Sequence, residues 1–253
     1  MMDDQVVITA VASGEVDTAE LWDAHAAGAE GRRDVNKWTR ELPERIAELA
    51  GHALAGAGGA DPGGTACVIG SVYGAGHVAE TMRARLDAGA RSSLAPESFL
   101  YFNAHGVTSL ICLRHELRGY CATVLGPGAG LQALALAQRR LRLADEGPVL
   151  CGAYEMLSPA AARAQGVDPV TGWAAFVVLE TAARARGRGA RVLARLDPVR
   201  TCPPPPERAA DLRATAPLAE LAASLTDDGA PTTTTVVAAG RRHGYRCTAH
   251  KEG

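Results

Sequence analysis

The segment from Gly119 to Ala133, GYCATVLGPGAGLQA, restricts what this chain can fold into more than any other stretch. Tyr120 to Val124 is rich enough in β-branched and aromatic side chains to predict a short buried strand. Gly126-Pro127-Gly128 then breaks it sharply. Leu131 to Leu143 is rich in leucine and alanine and carries no charge before Arg139, which predicts a helix surrounded by protein over its first turns. A strand-turn-helix joint of this kind presents its turn residue and the first helical N–H groups at one point. Pro127 occupies the turn, and proline brings neither a nucleophilic atom nor an N–H.

Read residue by residue, the segment resembles the nucleophile elbow of the β-ketoacyl synthases of the thiolase superfamily. In that family the elbow reads roughly Thr-Ala-Cys-Ala-Ser-Gly-Leu-Gln-Ala before a helix and a Gly-Gly-Ala-Glu turn. Gly130-Leu-Gln-Ala133 supplies the helical part, and Pro148-Val-Leu-Cys-Gly-Ala-Tyr-Glu155 stands where the family has its glycine turn and glutamate. In this register the family's cysteine falls on Pro127. Recruiting Cys121 or Cys151 instead would break the Gly-Leu-Gln-Ala match.

The resemblance extends outward over about residues 5 to 196. Gln5 to Thr9 resembles the first family strand, and Thr65 to Ser71 the next, ending before Gly74. Pro96, Asn103-Ala-His-Gly-Val-Thr-Ser-Leu110 and Leu117-Arg-Gly119 match the segment leading to the elbow. Gly172 to Glu180 and Arg188 to Ala194 resemble the strand and turn that close the family's N-terminal half. A complete ketosynthase continues into a second half bearing two histidines, for which this chain is too short. Cys202 to Pro206 reads as an extended linker. Pro217 to Leu225 predicts one helix, and Thr232 to Ala239 with Tyr245 to His250 a terminal hairpin around Gly240–Gly244.

The fold implied is therefore α/β: a thiolase-like mixed sheet of five strands, the ketosynthase N-terminal half, with helices on both faces and a short C-terminal hairpin at its edge. Residues 1–198 form the ketosynthase-like part, and 199–253 the linker, helix and hairpin that complete the same domain. Apolar residues at 47% are enough for a sizeable core, and 21% charge for a solvated surface. The start, Met-Met-Asp-Asp, has no basic n-region, and no apolar run approaches the roughly 18 residues a membrane span needs. The expected location is the cytoplasm, with no membrane contact. A net charge of −2 gives no reason to expect nucleic-acid binding.

Six cysteines and seven histidines invite metal or disulfide readings, but none has ligand spacing. Cys67, Cys112, Cys121 and Cys151 lie in apolar segments and read as buried reduced thiols. His105 and His115 read as packing or surface residues, and His243 as an exposed residue of the hairpin turn. No metal or cofactor is expected. Arg184, Arg186, Arg188 and Arg191 form a basic run at a solvated helix end that offers charge to an acidic carrier protein.

Within the family, an elbow without its cysteine resembles the chain-length factors of type II polyketide systems. This resemblance implies a non-catalytic subunit that forms a heterodimer with a catalytic ketosynthase, with two heterodimers able to associate, and that shapes the tunnel for a chain carried on acyl carrier protein. The short chain suits the polyene-making branch and a highly reduced product. Glutamine is the usual replacement in the aromatic branch, which Pro127 does not follow. Partner-interface candidates are Tyr120, Cys121, Ala122, Thr123 and Val124, because family dimers join at the sheet edges beside the elbow. Tunnel-lining candidates are Val78, Met82 and Leu86, one stripe at i, i+4 and i+8 on a helix over His77–Asp87, together with Phe99 and Phe102. Core packing, or a plug within the same subunit, is the alternative for these five. The competing functional readings are an acyltransferase or hydrolase acting alone through Ser71, Ser92 or Ser109, none of them in a Gly-x-Ser-x-Gly elbow, and a scaffold that binds carrier protein.

Overall fold

The computed structural model describes residues 5–17, 34–58, 61–89, 94, 98–143, 147–158, 161–163, 166, 171–204 and 214–252. Pro96, Ser92, Pro205 and Pro206, which the sequence singles out, lie outside the described residues.

Strand β1 (Val6–Asp17) opens on three β-branched residues and is the longest in the sheet. Helix α1 (Asp34–Gly56) follows, with Pro43 inside it. Its buried face carries Leu42, Ile46, Ala50 and Ala53 at helical spacing. β2 (Ala66–Ser71) is wholly buried. α2 (Gly76–Asp87), α3 (Ser98–Phe102) and α4 (Gly106–Arg114) lead to β3 (Cys121–Leu125) and to α5 (Ala129–Leu143). β4 (Val149–Glu155), β5 (Thr171–Thr181), α6 (Ala182–Gly187), β6 (Ala194–Leu196) and β7 (Arg200–Cys202) come next. The chain closes with α7 (Ala216–Thr226), β8 (Thr233–Ala239) and β9 (Gly244–Lys251).

The strands form one mixed sheet in the order β3-β2-β4-β5-β1-β6-β9-β7, with β8 on the free side of β9. β2 runs parallel to β3 on one side and to β4 on the other. β5 is antiparallel to both β4 and β1. The first five strands of this path are the five expected from the resemblance. The sheet does not end there: Val7 and Ile8 of β1 pair with Arg195 and Ala194, and β6 pairs with β9. The terminal hairpin therefore continues a sheet that has nine strands among the described residues.

Two apolar cores lie on opposite faces of the sheet. On one face α1 and α4 cover Ala10, Ile69, Leu150, Phe176 and Val178. On the other, α5 and α7 pack against β2, β4, β5 and β1, and Val236, Cys247 and Ala249 of the hairpin complete the same core. The elbow helix α5 is thus enclosed on two sides, which accounts for its uncharged first turns. Gln138, buried on α5, donates from Nε2 to the Asp197 carbonyl at 2.9 Å and accepts from the Val199 N–H at 2.9 Å. That side chain ties the β6–β7 connection to the central helix.

Two buried carboxylates fasten the ends of strands. Glu180 at the end of β5 accepts from Thr9 at 2.8 Å and from Arg188 Nε at 2.9 Å and Nη2 at 2.5 Å. Arg188 also donates to the Gly58 carbonyl. Arg188, one member of the basic run, therefore has its guanidinium engaged by Glu180 and the Gly58 carbonyl. Among the described residues no helix is long and apolar enough to cross a membrane.

Candidate functional site

β3 starts at Cys121, one residue later than the sequence suggests, since Tyr120 is a half-exposed residue before it. The turn that follows needs its glycines. Gly126 and Gly128 have φ of 104° and 77°, a region L side chains avoid. A Cβ on Gly128 would also meet the Tyr245 ring at 2.9 Å, so the terminal hairpin presses directly on the elbow. Pro127 lies between them, and its carbonyl accepts from Gln132 Nε2 at 2.8 Å. The elbow is therefore a closed, hydrogen-bonded joint with no reactive side chain at its apex. A Cβ on Gly130 would fall 2.0 Å from the Ala214 carbonyl oxygen, so α5 approaches the chain entering α7 at backbone contact distance.

Glu155 organises the neighbouring strand ends. Its carboxylate accepts from the N–H of Val72 at 2.5 Å, Tyr73 at 3.3 Å and Ala214 at 3.1 Å, and from the Ser71 hydroxyl at 3.2 Å. Burial pushes its pKa up to about 7, against the pull of those donors. The residue thus joins the loop after β2 to the start of α7. Ser71, one of the serines considered as a nucleophile, is fully buried, and its Oγ also accepts from the Gly74 N–H at 2.8 Å. It is a structural hydroxyl in this arrangement.

β3 is the last strand of the sheet path, with β2 as its hydrogen-bonding neighbour and, among the described residues, no strand on its outer edge. Cys121 to Val124 are half-buried and Leu125 is 52% exposed. Tyr120 stacks under the Arg140 guanidinium, 4.4 Å from the ring centre. Close to this edge, α3 and α4 expose Phe99, Leu100, Phe102 and Leu113. Phe99 and Phe102 are more than half exposed, which removes the reading of them as a plug inside their own subunit. Val78 and Met82 are buried on α2, whereas Leu86 is 43% exposed, so that stripe runs from the interior out to the surface. His77, at the start of the same helix, is buried, and burial drives its pKa down to about 3.

The thiols depart from the sequence reading at two positions. Cys67 and Cys151 are buried, but Cys112 and Cys121 are half-exposed, and all six described cysteines are free. Cys112 Sγ and Cys121 Sγ lie 3.4 Å apart, and His105 Nε2 is 3.5 Å from Cys121. His105 Nδ1 contacts Thr123 Oγ1 at 2.7 Å. His105 is thereby engaged in a polar cluster that no sequence spacing reveals, because its members come from α4, β3 and the turn before α4. His115 holds the Ala47 carbonyl at 2.7 Å, a packing role. His243 is exposed in the hairpin turn, with its Nε2 3.1 Å from Tyr245 Oη. Among the described residues no group of three or more His, Cys, Asp or Glu side chains is arranged to hold a metal ion.

No family model matches the sequence, and no curated protein matches it. Solved structures do match the fold. One chain from the structure of a type II polyketide synthase acyl-carrier protein in complex with its ketosynthase superposes with a TM-score of 0.72 at 12% identity, over 98% of this chain and 99% of that chain. The ishigamide ketosynthase/chain length factor gives 0.70 at 17% identity, over 98% of this chain and 100% of that one. A β-ketoacyl synthase from Burkholderia phymatum gives 0.66 at 14% identity, over 98% and 100%. The chain has the thiolase-like fold of the ketosynthases, and the match runs from its first strand through its terminal hairpin.

Proposed function

We propose that the chain is a non-catalytic subunit of the chain-length-factor kind, which pairs along the outer edge of β3 with a catalytic ketosynthase in the cytoplasm. In this role it helps wall the chamber for a growing, highly reduced or polyene polyketide carried on acyl carrier protein. The carrying observation is the elbow itself: strand, glycine turn and enclosed helix are all kept, while Pro127 stands at the apex and leaves nothing to attack a thioester. Catalysis would have to come from elsewhere, and β3 with its exposed apolar neighbours is the surface through which a partner would supply it.

Two of the structural neighbours support this reading by what they are, a ketosynthase/chain length factor and an acyl-carrier protein in complex with its ketosynthase. In the proposed complex Tyr120 to Val124 contact the partner. Val78, Met82, Leu86, Phe99 and Phe102 line or rim the chamber. Co-expression with a type II polyketide ketosynthase tests the proposal. The expected outcome is a stable complex, recovered by size exclusion, that forms polyketide. A monodisperse chain that turns over acyl thioesters unaided would overturn it.

A further inference from the structure

The thiols of Cys112 and Cys121 face each other across the joint between α4 and β3, and the setting has more of the parts of a redox centre than of an inert core. Both residues are half-exposed, and their sulfurs are 3.4 Å apart. That is longer than a disulfide and short enough for a small rotation to close one. The chain between them, residues 113 to 120, lies outside α4 and β3 except for its first two residues.

His105 supplies a base. Thr123 Oγ1 contacts both His105 Nδ1 and Thr108 Oγ1, each at 2.7 Å. A hydroxyl has one proton to give. With that proton given to Thr108, Thr123 accepts from Nδ1–H, which leaves the Nε2 lone pair facing the Cys121 thiol at 3.5 Å. Rotation of the Cys121 S–H from Cys112 to His105 Nε2 then sets a nucleophile, a base and a group orienting the base in line.

From this geometry we propose that Cys112 and Cys121 form a reversible intramolecular disulfide on exposure to a hydroperoxide. His105 takes the Cys121 proton, and the thiolate sulfur attacks the peroxide oxygen, breaking the O–O bond. With hydrogen peroxide the products are a sulfenic acid and hydroxide, which leaves as water with the proton carried by His105; an organic hydroperoxide releases the corresponding alcohol instead. Cys112 then attacks the sulfenic sulfur and a second water departs. Two thiols and one hydroperoxide molecule give one disulfide and two waters when the oxidant is hydrogen peroxide, and a dithiol reductant reverses the change.

The reduced form is the resting state. The hydrogen bond with Cys112 and then burial hold the Cys121 thiol far above its ordinary value. For Cys112 the bond from Cys121 favours the thiolate, but Cys67 alongside and burial outweigh it and push the group up to about 12. Neither thiol ionises alone near neutrality, so the reaction depends on His105. The inference concerns the chain free of any partner, in which Cys121 is half-exposed, and its test does not require a ketosynthase.

Trypsin cleaves after Arg114 and Arg118, so the disulfide joins two separate peptides, one ending at Arg114 and one starting at Gly119. The experiment treats the folded full chain with hydrogen peroxide, blocks remaining thiols and maps the peptides by mass spectrometry. Expected is a protein lighter by two hydrogens with that one linked pair, absent from Cys112→Ser and from Cys121→Ser, and reversed by dithiothreitol. His105→Ala should slow its appearance by at least about tenfold, as loss of a positioned base does. Where His105→Ala does not fold, His105→Gln, which keeps an amide for Thr123, gives the same reading. Linkage of Cys112 to Cys67, an equal rate in the guanidinium-unfolded chain, or full retention of both thiols would each overturn the proposal.

Discussion

β3 and β4 flank the same strand, β2, in the same parallel sense, yet every residue of β4 is buried and no residue of β3 is. β4 has β5 on its far side and helices above and below, so its side chains and backbone are fully consumed within the chain. β3 ends the sheet path and leaves one edge and its apolar neighbours facing outward. An edge strand of this kind is normally blunted by charge, proline or a bulge. β3 has none of these within Cys121–Leu125, so its edge is unprotected in the chain alone.

The largest predicted effect breaks the buried side of this comparison. A Cβ on Gly152 of β4 would fall 2.2 Å from the Phe176 ring and 2.9 Å from the Ala175 carbonyl oxygen. Gly152→Ala is expected to cost about 3 kcal/mol or more in urea unfolding, at the upper end for overpacked cores. Leu125→Lys, at the end of β3, is expected to cost under about 1 kcal/mol in the isolated chain, as exposed positions do.

A second prediction concerns Glu155, at the end of β4, and His77, just past β2. The Glu155 pKa is raised in the fold, so the unfolded chain releases this proton first. Its contribution to stability is complete below about 4.5 and is lost as pH rises through about 7. The His77 pKa is depressed, so its contribution is complete above 6.5 and is lost as pH falls toward about 3. The two slopes cancel between 4.5 and 6.5. Glu155→Gln should unmask stability that rises with pH across that window, and His77→Gln stability that falls. Each slope is on the order of 3 kcal/mol over the window. Flat profiles in both variants, measured by urea unfolding, would show that these groups titrate as they do in the unfolded chain.

The exposed side of the comparison is sharpened by the complex. Leu125→Lys, nearly silent in the free chain, should weaken association with the ketosynthase about 30-fold or more, the scale of an interface hot spot. Unchanged affinity by calorimetry would move the interface away from β3. The smallest effect is expected at Met82: exchange for tryptophan should shorten the product by one or more extension units if α2 walls the chamber. Unchanged products from a fully assembled complex would return Met82, which is buried on α2, to ordinary core packing.

Much of the fold was legible because local chemistry and the motif agreed. The glycine turn, α5, the hairpin and α2 fall within a residue or two of where the sequence places them, since φ-permissive glycines, apolar runs and helical spacing are local signals. Helix α1 was not anticipated. Pro43 inside it is a local stop signal that breaks the reading of Leu42, Ile46, Ala50 and Ala53 as one helical face. The continuation of the sheet through β6 was also hidden, because a three-residue strand has no period to read. At the site, Pro127 could be found from the motif, but the Glu155 network and the meeting of His105 with Cys121 could not. Those contacts join residues 16 to 84 positions apart, and only the packed fold brings them together.

The most direct measurement is in vitro condensation with the ketosynthase, acyl carrier protein and malonyl extender, with and without this chain. The account predicts product only when both subunits are present. Activity should be unchanged by Pro127→Ala in this chain and abolished when the ketosynthase loses its nucleophilic cysteine. Product formed by this chain without the ketosynthase, or full activity of the ketosynthase without this chain, would contradict it.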